Sequence, residues 1–427
     1  VFVLALLSKS MAVTLPVVLL VLDAYPLRRL RPGVRGWATP GPWRIWQEKV
    51  PFALAAALVS VVAFRVLLSF APATSWERLG PLERVAVSAY ALAFYLRKTL
   101  LPLGLSPLYE LFLPVHPFEW RFLLSGVVVL LIPGAVFALR KRWPGLLAVW
   151  IGYGVMLLPV VGVFHKGYQI AADRYSYLPG IGWALLAGGA VVLALRRFPG
   201  ARPGRRALAV ILVFSTVPLL ALATWRQVKI WEDGVSLWRH AVRIEPASPI
   251  AVANLGWELR ARGDLAEAVE QCQRALLLRP DYADAHLNLG LAMAAQGRTA
   301  EAERHLRRVI ELTPRSIPAR SGLGSLLEAQ GRLDEAIAYF REARQIDPRS
   351  AGARNTLGVV LARSGQTGEA LAEFSEAVRL DPTFGQAQNN LGLALAHLGR
   401  LSEARDHFLA AIRSEPGFEE AHRNLAQ

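Results

Sequence analysis

The sequence predicts an all-α protein in two parts, a polytopic transmembrane helical bundle followed by an α-solenoid. Three observations carry that expectation. Apolar runs of near-span length recur through the first half of the 427 residues, basic residues crowd the gaps between them, and a 34-residue period governs everything after Pro246.

The apolar runs fall at about 1–22, 51–70, 122–139, 145–163, 179–195 and 207–224. Most are close to the ~20 residues a helix needs to cross the hydrocarbon core, and they define a multispan domain over 1–224 with about six spans. Ser8-Lys9-Ser10 interrupts the first run. Lys9 reads as a turn residue before a short helix over 11–22, and a continuous span with Lys9 at mid-depth stays open beside it. The chain opens at Val1 inside this apolar run with no charged region ahead of it, the pattern of a chain cut through a membrane helix.

Charge is partitioned as sharply as hydropathy. Residues 1–248 carry 27 Lys and Arg against 10 Asp and Glu, and residues 249–427 carry 21 against 23, so the whole +15 excess belongs to the hydrophobic half. Basic residues between apolar runs follow the positive-inside rule rather than mark a nucleic-acid footprint, and nucleic acid is not an expected partner. The basic loops 23–49, 140–142 and 196–206 take the cytoplasmic side, and 71–121 and 164–178 the outer one. That parity requires residues 83–100, ERVAVSAYALAFYLRKTL, not to span; charged at both ends, they read as an interfacial helix.

Lys9, Arg97, Lys98, His165, Lys166, Asp173 and Arg174 then share the outer face. Cations gathered with few carboxylates suit the phosphate of a membrane lipid, held by charge-assisted hydrogen bonds. The plainer account is that these side chains snorkel to headgroups, and that Tyr168, Tyr175, Tyr177 and Trp183 form an aromatic belt.

In the second half, Pro246, Pro280, Pro314, Pro348, Pro382 and Pro416 stand 34 apart, as do Gly256 through Gly392, Gly263 through Gly399 and Ala268 through Ala404. Small residues where two helices cross and a proline closing the second helix form the tetratricopeptide signature. Full repeats fall at about 249–282, 283–316, 317–350, 351–384 and 385–418, with a partial sixth completing a solenoid over 249–427. Residues 225–248 supply a short connector and a half repeat, WEDGVSLWRHAVRIEP.

One column is polar: Asn254, Asn288, Asn390 and Asn424, with Gly322 and Thr356 between. A ladder of amides along the groove of such a solenoid can bond the backbone of an extended polypeptide whatever its side chains, or can simply solvate an empty groove. Cys272 shares a column with Leu306, Phe340, Phe374 and Phe408 and reads as core. A single cysteine forbids an intramolecular disulfide and a cysteine-rich metal centre, and no metal site is expected.

Five stretches carry a resemblance: LLSKSMAVTLPVVLLVLDAYPLRR at 6–29, EKVPF at 48–52, AFYLRKTLLP at 93–102, AADRYSYLPGIG at 171–182 and WEDGVSLW at 231–238. With them the chain resembles, over essentially its whole length, the transmembrane and tetratricopeptide-containing protein O-mannosyltransferases and their bacterial relatives, which look like the GT-C class of glycosyltransferases. The resemblance implies a partial GT-C-like bundle and a polyprenyl-phosphate sugar as donor substrate, with no other cofactor. It implies transfer of mannose to Ser or Thr of exported proteins gripped by the repeats. Arg174, Lys9 and Lys166, with Arg97 or Lys98, would hold the donor phosphate, and Asp173 would orient Arg174 or a donor hydroxyl. The catalytic base of that class belongs to an acidic outward loop expected ahead of Val1, so no residue is assigned to it. An arginine-rich, lysine-poor composition fits a GC-rich bacterium, its inner membrane, and repeats on the extracytoplasmic side. A membrane-anchored scaffold without chemistry is the competing reading.

Overall fold

A computed structural model describes residues 13–30, 40–70, 79–112, 114–161, 169–172, 175–197 and 203–427. The chain divides into two compact units, Val1–Pro246 and Ala247–Gln427.

In the first unit the described helices are α1 (Leu15–Ala24), α2 (Pro40–Phe70), α3 (Pro81–Leu100), α4 (Trp120–Ala138), α5 (Pro144–Leu157), α6 (Tyr177–Arg197), α7 (Pro203–Ile230) and α8 (Gly234–Ile244). Proline stands in the first turn of α1, α3 and α5, where its missing N–H costs nothing and its fixed φ suits the helix. Two short strands, β1 (Tyr109–Glu110) and β2 (Gln169–Ala171), pair antiparallel.

The described parts of the apolar runs are largely helical, but the lengths differ from expectation. Two of the described helices are long and apolar enough to cross a membrane, at Trp43–Val62 and Trp120–Lys141, and only 11% and 17% of those windows are buried. The other apolar helices found there, Leu15–Ala24, Pro144–Leu157 and Tyr177–Leu193, are shorter. The six-span bundle is therefore not what the described residues display. Run 145–163 gives a helix of 14 residues, about 21 Å long; Leu158 still has helical backbone, and Pro159 then has no N–H to carry the hydrogen-bond ladder further.

Stretch 83–100 is a helix as expected, and one of its faces is the packing centre of this unit. Val87, Ala91, Phe94 and Tyr95 of α3 meet Tyr109, Phe122, Tyr153 and Leu157 in one apolar cluster. Trp183, read as a belt residue, stands edge-on to Trp150 and Tyr153 instead.

Helices α5 and α6 run antiparallel. Gly180 lies near Thr99, which bonds the Tyr153 hydroxyl late in α5, while Gly182 has moved back to Val149, where a Cβ would sit 3.0 Å from a methyl group. At the other end Tyr25, just past α1, lies on Gly145 at the start of α5. The ends of α1 and α6 and the start of α5 thus gather at one end of the bundle, and each of the three adjoins a basic run.

The second unit repeats one pair: α9 (Pro249–Arg262) with α10 (Leu265–Leu278), α11 (Ala283–Ala295) with α12 (Thr299–Leu312), α13 (Ile317–Ala329) with α14 (Leu333–Ile346). Then come α15 (Ala351–Arg363) with α16 (Thr367–Leu380), α17 (Gly385–His397) with α18 (Leu401–Ser414), and α19 (Glu419–Ala426). Ser248, Ser316 and Ser350 cap first helices by accepting from the N–H three residues on. Gly263, Gly297, Gly331, Gly365 and Gly399 turn the chain at φ between 76° and 96°, where a Cβ would be strained.

The other glycine column sets the closeness of each pair. A Cβ on Gly358 or Gly392 would stand 2.6 Å from the ring of Phe374 or Phe408, and one on Gly256 2.5 Å from Cys272 Sγ. Cys272 is fully buried, and burial pushes its thiol up to about 12, which leaves it an inert core residue.

Candidate functional site

Of the outer-face residues singled out in the sequence, Lys9, Lys166, Asp173 and Arg174 lie outside the described residues, as do His165 and Tyr168. Arg97 and Lys98 are described, and they part ways. Consecutive helical residues point about 100° apart, so one can face out while the other faces in. Arg97 is exposed, its guanidinium 5.3 Å from the Phe94 ring centre. Lys98 is 6% exposed. Its Nζ donates to the carbonyls of Leu103 and Gly104 at 2.6 Å each and stands 4.9 Å from the Tyr109 ring centre.

Lys98 thus closes the turn that follows α3, and its ammonium is engaged inside the fold rather than offered to a headgroup. Around it gather groups that sequence reasoning missed. The Glu110 N–H donates to Glu245 Oε2 at 3.0 Å, and the Glu110 side chain is itself 4% exposed. Burial raises the Glu245 carboxyl above its ordinary range, with the Glu110 N–H and the Lys98 charge opposing. His240 Nε2 lies 3.1 Å from the Leu105 carbonyl, which can only accept, so that nitrogen carries the proton. A signal for Glu110 was present in the sequence: it is a lone carboxylate inside the otherwise apolar LYELF.

The segment before Asp173 is pinned to the same cluster. Tyr109 pairs with Ala171 across the two strands, and the Ala172 N–H donates to the Tyr95 hydroxyl at 3.1 Å. Ala171 and Ala172 are 2% and 0% exposed, so these two residues are fixed in the core beside α3. The cluster sets the geometry of the turn after α3. Among the described residues no group of three or more His, Cys, Asp or Glu could hold a metal.

In the solenoid the asparagine column is in part self-satisfied. Asn390 Nδ2 donates to Asn355 Oδ1, and Asn424 Nδ2 to Asn389 Oδ1, both at 2.9 Å. Asn288 is buried, while Asn254, Asn390 and Asn424 are half-buried. Asn355 and Asn389 escaped the sequence reading although they too stand 34 apart, one position ahead of the chosen column. Asn390 and Asn424 each keep the oxygen and one N–H for other partners. Three residues beyond Asn254, on the same face of α9, Trp257 is 45% exposed and offers an aromatic anchor.

A histidine pair ties α11 to α12. His286 Nδ1 and His305 Nδ1 lie 2.9 Å apart, and His286 Nε2 lies 2.9 Å from the Pro280 carbonyl. The carbonyl requires the proton on Nε2 of a neutral His286, so His305 Nδ1 is the donor of the pair. Burial lowers the pKa of both rings, and for His305 the facing His286 lowers it further.

The "Tetratricopeptide repeat" family profile matches residues 295–351 and 355–417, and the "TPR repeat" profile matches 256–297. The solenoid is built of tetratricopeptide repeats.

Relatives extend the comparison at low identity. Protein O-mannosyl-transferase Tmtc2 of Drosophila melanogaster is 31% identical over 122 residues, 29% of this chain and 12% of that protein. Protein O-mannosyl-transferase TMTC1 of Mus musculus is 28% identical over 214 residues, 47% of this chain and 22% of that protein. The chain therefore spans less than a quarter of each of these relatives. Among solved structures, YrrB, described as a TPR protein with an unusual peptide-binding site, covers 44% of this chain and 98% of itself at 22% identity and a TM-score of 0.37. MamA covers 38% and 95% at 25% identity and a TM-score of 0.35.

Proposed function

We propose that this chain is part of an integral membrane glycosyltransferase that moves mannose from a polyprenyl-phosphate donor to Ser or Thr of exported proteins, with the tetratricopeptide groove gripping the acceptor. The observation that carries this reading is the extent of the mouse match. It spans 47% of the chain, about the length of the connector, half repeat and full repeats together, and supports kinship with an O-mannosyl-transferase. Two helices that present their apolar windows outside the packed core support placement in a membrane. Basic runs adjoining one end of the bundle support a cytoplasmic assignment for that end, with the repeats extracytoplasmic and, for a bacterial chain, the inner membrane as host.

In this reading the donor phosphate is held by Arg174, Lys166, Lys9 and Arg97 at the outer boundary. Cations already in place would stabilise the charge that grows on the leaving phosphate. Lys98 contributes from one layer further in, by fixing the turn after α3, and Asp173 orients Arg174 or a donor hydroxyl.

Transfer from a labelled polyprenyl-phosphate sugar, measured in membranes beside the amount of full-length protein, tests the proposal. Arg174→Gln and Lys166→Gln should each cut turnover about ten- to a hundredfold at unchanged protein level, the worth of a lost charge-assisted hydrogen bond at roughly 1.5–3 kcal/mol. Normal turnover in both variants would remove the phosphate site, and lost insertion with normal turnover per molecule would return these residues to snorkelling.

A further inference from the structure

Two apolar grooves flank the contact between α1 and α5. One, of about 470 Å³, runs between α1, α5 and α6 and is walled by Val18, Leu22, Val149, Met156 and Leu186. The other, of about 830 Å³, is walled by Val17, Leu20, Leu147 and Ile151. Val21, Tyr25, Pro144 and Ala148 line both and form the ridge between them.

The two grooves share a basic end. Arg142 lines the first at the start of α5, and Arg28 lines the second just past α1. Tyr25 joins the two turns by lying on Gly145, where a Cβ would meet its ring at 3.1 Å.

The turn after α1 sorts its two arginines. The carbonyl of Asp23 accepts from the N–H groups of Arg29 and Leu30 at 2.8 and 3.2 Å. The buried Asp23 carboxylate binds Arg29 at 2.9 Å and Lys49 at 2.9 Å, while Glu48 takes the other side of Arg29 at 2.8 Å. Arg28, between them in sequence, is held at φ +53°, a left-handed conformation that side chains other than Gly, Asn and Asp rarely adopt. It is exposed, as is Arg142, and among the described residues no carboxylate pairs with either. Arg29 and Lys49 are thus neutralised by carboxylates, whereas among the described residues Arg28 and Arg142 have no counter-ion and stand over two apolar channels.

We propose that this end of the bundle binds a two-chain anionic glycerophospholipid, its phosphate between Arg28 and Arg142 and one acyl chain in each groove. Guanidinium groups match a phosphate by paired hydrogen bonds, and a lipid supplies in one molecule the negative head and the two apolar tails that the surface asks for. A polyprenyl phosphate has one chain and would leave a groove empty. The site also stands apart from the proposed donor site, since Arg28 and Arg142 belong to the basic loops 23–49 and 140–142, so either proposal can fail alone.

The test uses the full chain purified in detergent, with retained lipid measured by mass spectrometry. Affinity for phosphatidylglycerol, phosphatidylcholine and undecaprenyl phosphate is then titrated by quenching of tryptophan fluorescence with brominated chains. Trp143 lines the first groove, so Trp143→Phe should remove the saturable part of the quenching. The wild type should retain phosphatidylglycerol in preference to phosphatidylcholine. Arg28→Gln and Arg142→Gln should each weaken phosphatidylglycerol about fivefold, the equivalent of ~1 kcal/mol per basic side chain, and together about 25-fold. Both arginines are exposed, so circular dichroism should stay unchanged, and Arg405→Gln on the solenoid should leave lipid affinity as it was. Equal affinity for the two phospholipids, an unaffected double variant, stronger binding of undecaprenyl phosphate than of phosphatidylglycerol, or no lipid in either groove because a protein segment fills it would each overturn the proposal.

Discussion

Asn390 Nδ2 donates to Asn355 Oδ1 at 2.9 Å, across the boundary between two repeats. Asn355 is 7% exposed, so its carbonyl has little water to turn to if Asn390 is removed. Asn390→Ala should destabilise the solenoid by about 1–3 kcal/mol, the cost of a buried acceptor left unpaired. Asn355→Ala combined with it should add little, and a double-mutant cycle on denaturant midpoints measures the coupling. If acceptor capture falls as well, the groove uses the free side of the same amides, and Asn254→Ala, which breaks none of these pairs, should then weaken capture without loss of stability.

Close approach inside a repeat gives a second expectation. A Cβ on Gly324 would stand 2.8 Å from the Phe340 ring, whereas one on Gly352 would meet only Ser350 Oγ at 3.9 Å. Gly324→Ala should cost about 1–3 kcal/mol by overpacking. Gly352→Ala should be neutral or gain roughly 0.4–1 kcal/mol by restricting the unfolded chain. Thermal midpoints of the two variants, which differ in sign, check this.

The histidines make the repeats acid-sensitive. Burial lowers the folded-state pKa of His286, His305 and His407 below the ordinary imidazole value, so the unfolded chain takes up protons first. Their contribution is fully present above about pH 6.5 and is lost as the pH falls through the depressed folded values, by no more than ~1.4 kcal/mol per pH unit for each proton. The first proton can enter at His305 Nε2 and leave the pair intact; the second must sever it. Hydrogen exchange in α11 and α12, corrected for the intrinsic rate, should rise on acidification, and His286→Gln with His305→Gln should flatten that rise.

Lys98 and Arg97 are neighbouring cations with different surroundings. Lys98→Met removes two short charge-assisted hydrogen bonds, leaving the Leu103 carbonyl short of a donor and the Gly104 carbonyl with the Tyr109 hydroxyl, so a loss of about 2–3 kcal/mol is expected in the first unit. Arg97→Gln, one residue earlier and exposed, should leave stability within about 0.5 kcal/mol. Thermal aggregation of the detergent-solubilised chain compares the two.

The sequence by itself determined the repeats. Their helix starts, their turn glycines and the burial of Cys272 all follow from a 34-residue period, because each repeat packs on its neighbours and the rules for one hold for the next. It also placed the apolar helices of the first unit, though not their lengths: α5 ends just ahead of Pro159, within a run whose hydropathy alone reads as a full span. What only the tertiary structure decided is which of two like residues does what. Arg28 and Arg29 are adjacent and chemically identical, as Asn389 and Asn390 are, and Arg97 and Lys98 carry the same charge, yet in each pair the partners differ. Some of those partners are near, as Asp23 is to Arg29 and Leu103 and Gly104 are to Lys98, and others lie far off: Glu48 for Arg29, Asn355 for Asn390, and Glu245, which reaches Glu110 beside Lys98 across 135 positions. Periodicity and hydropathy report the face a residue occupies, whereas the fate of a charge or an amide depends on which distant group arrives at hydrogen-bonding distance, and that is fixed only when the chain closes on itself.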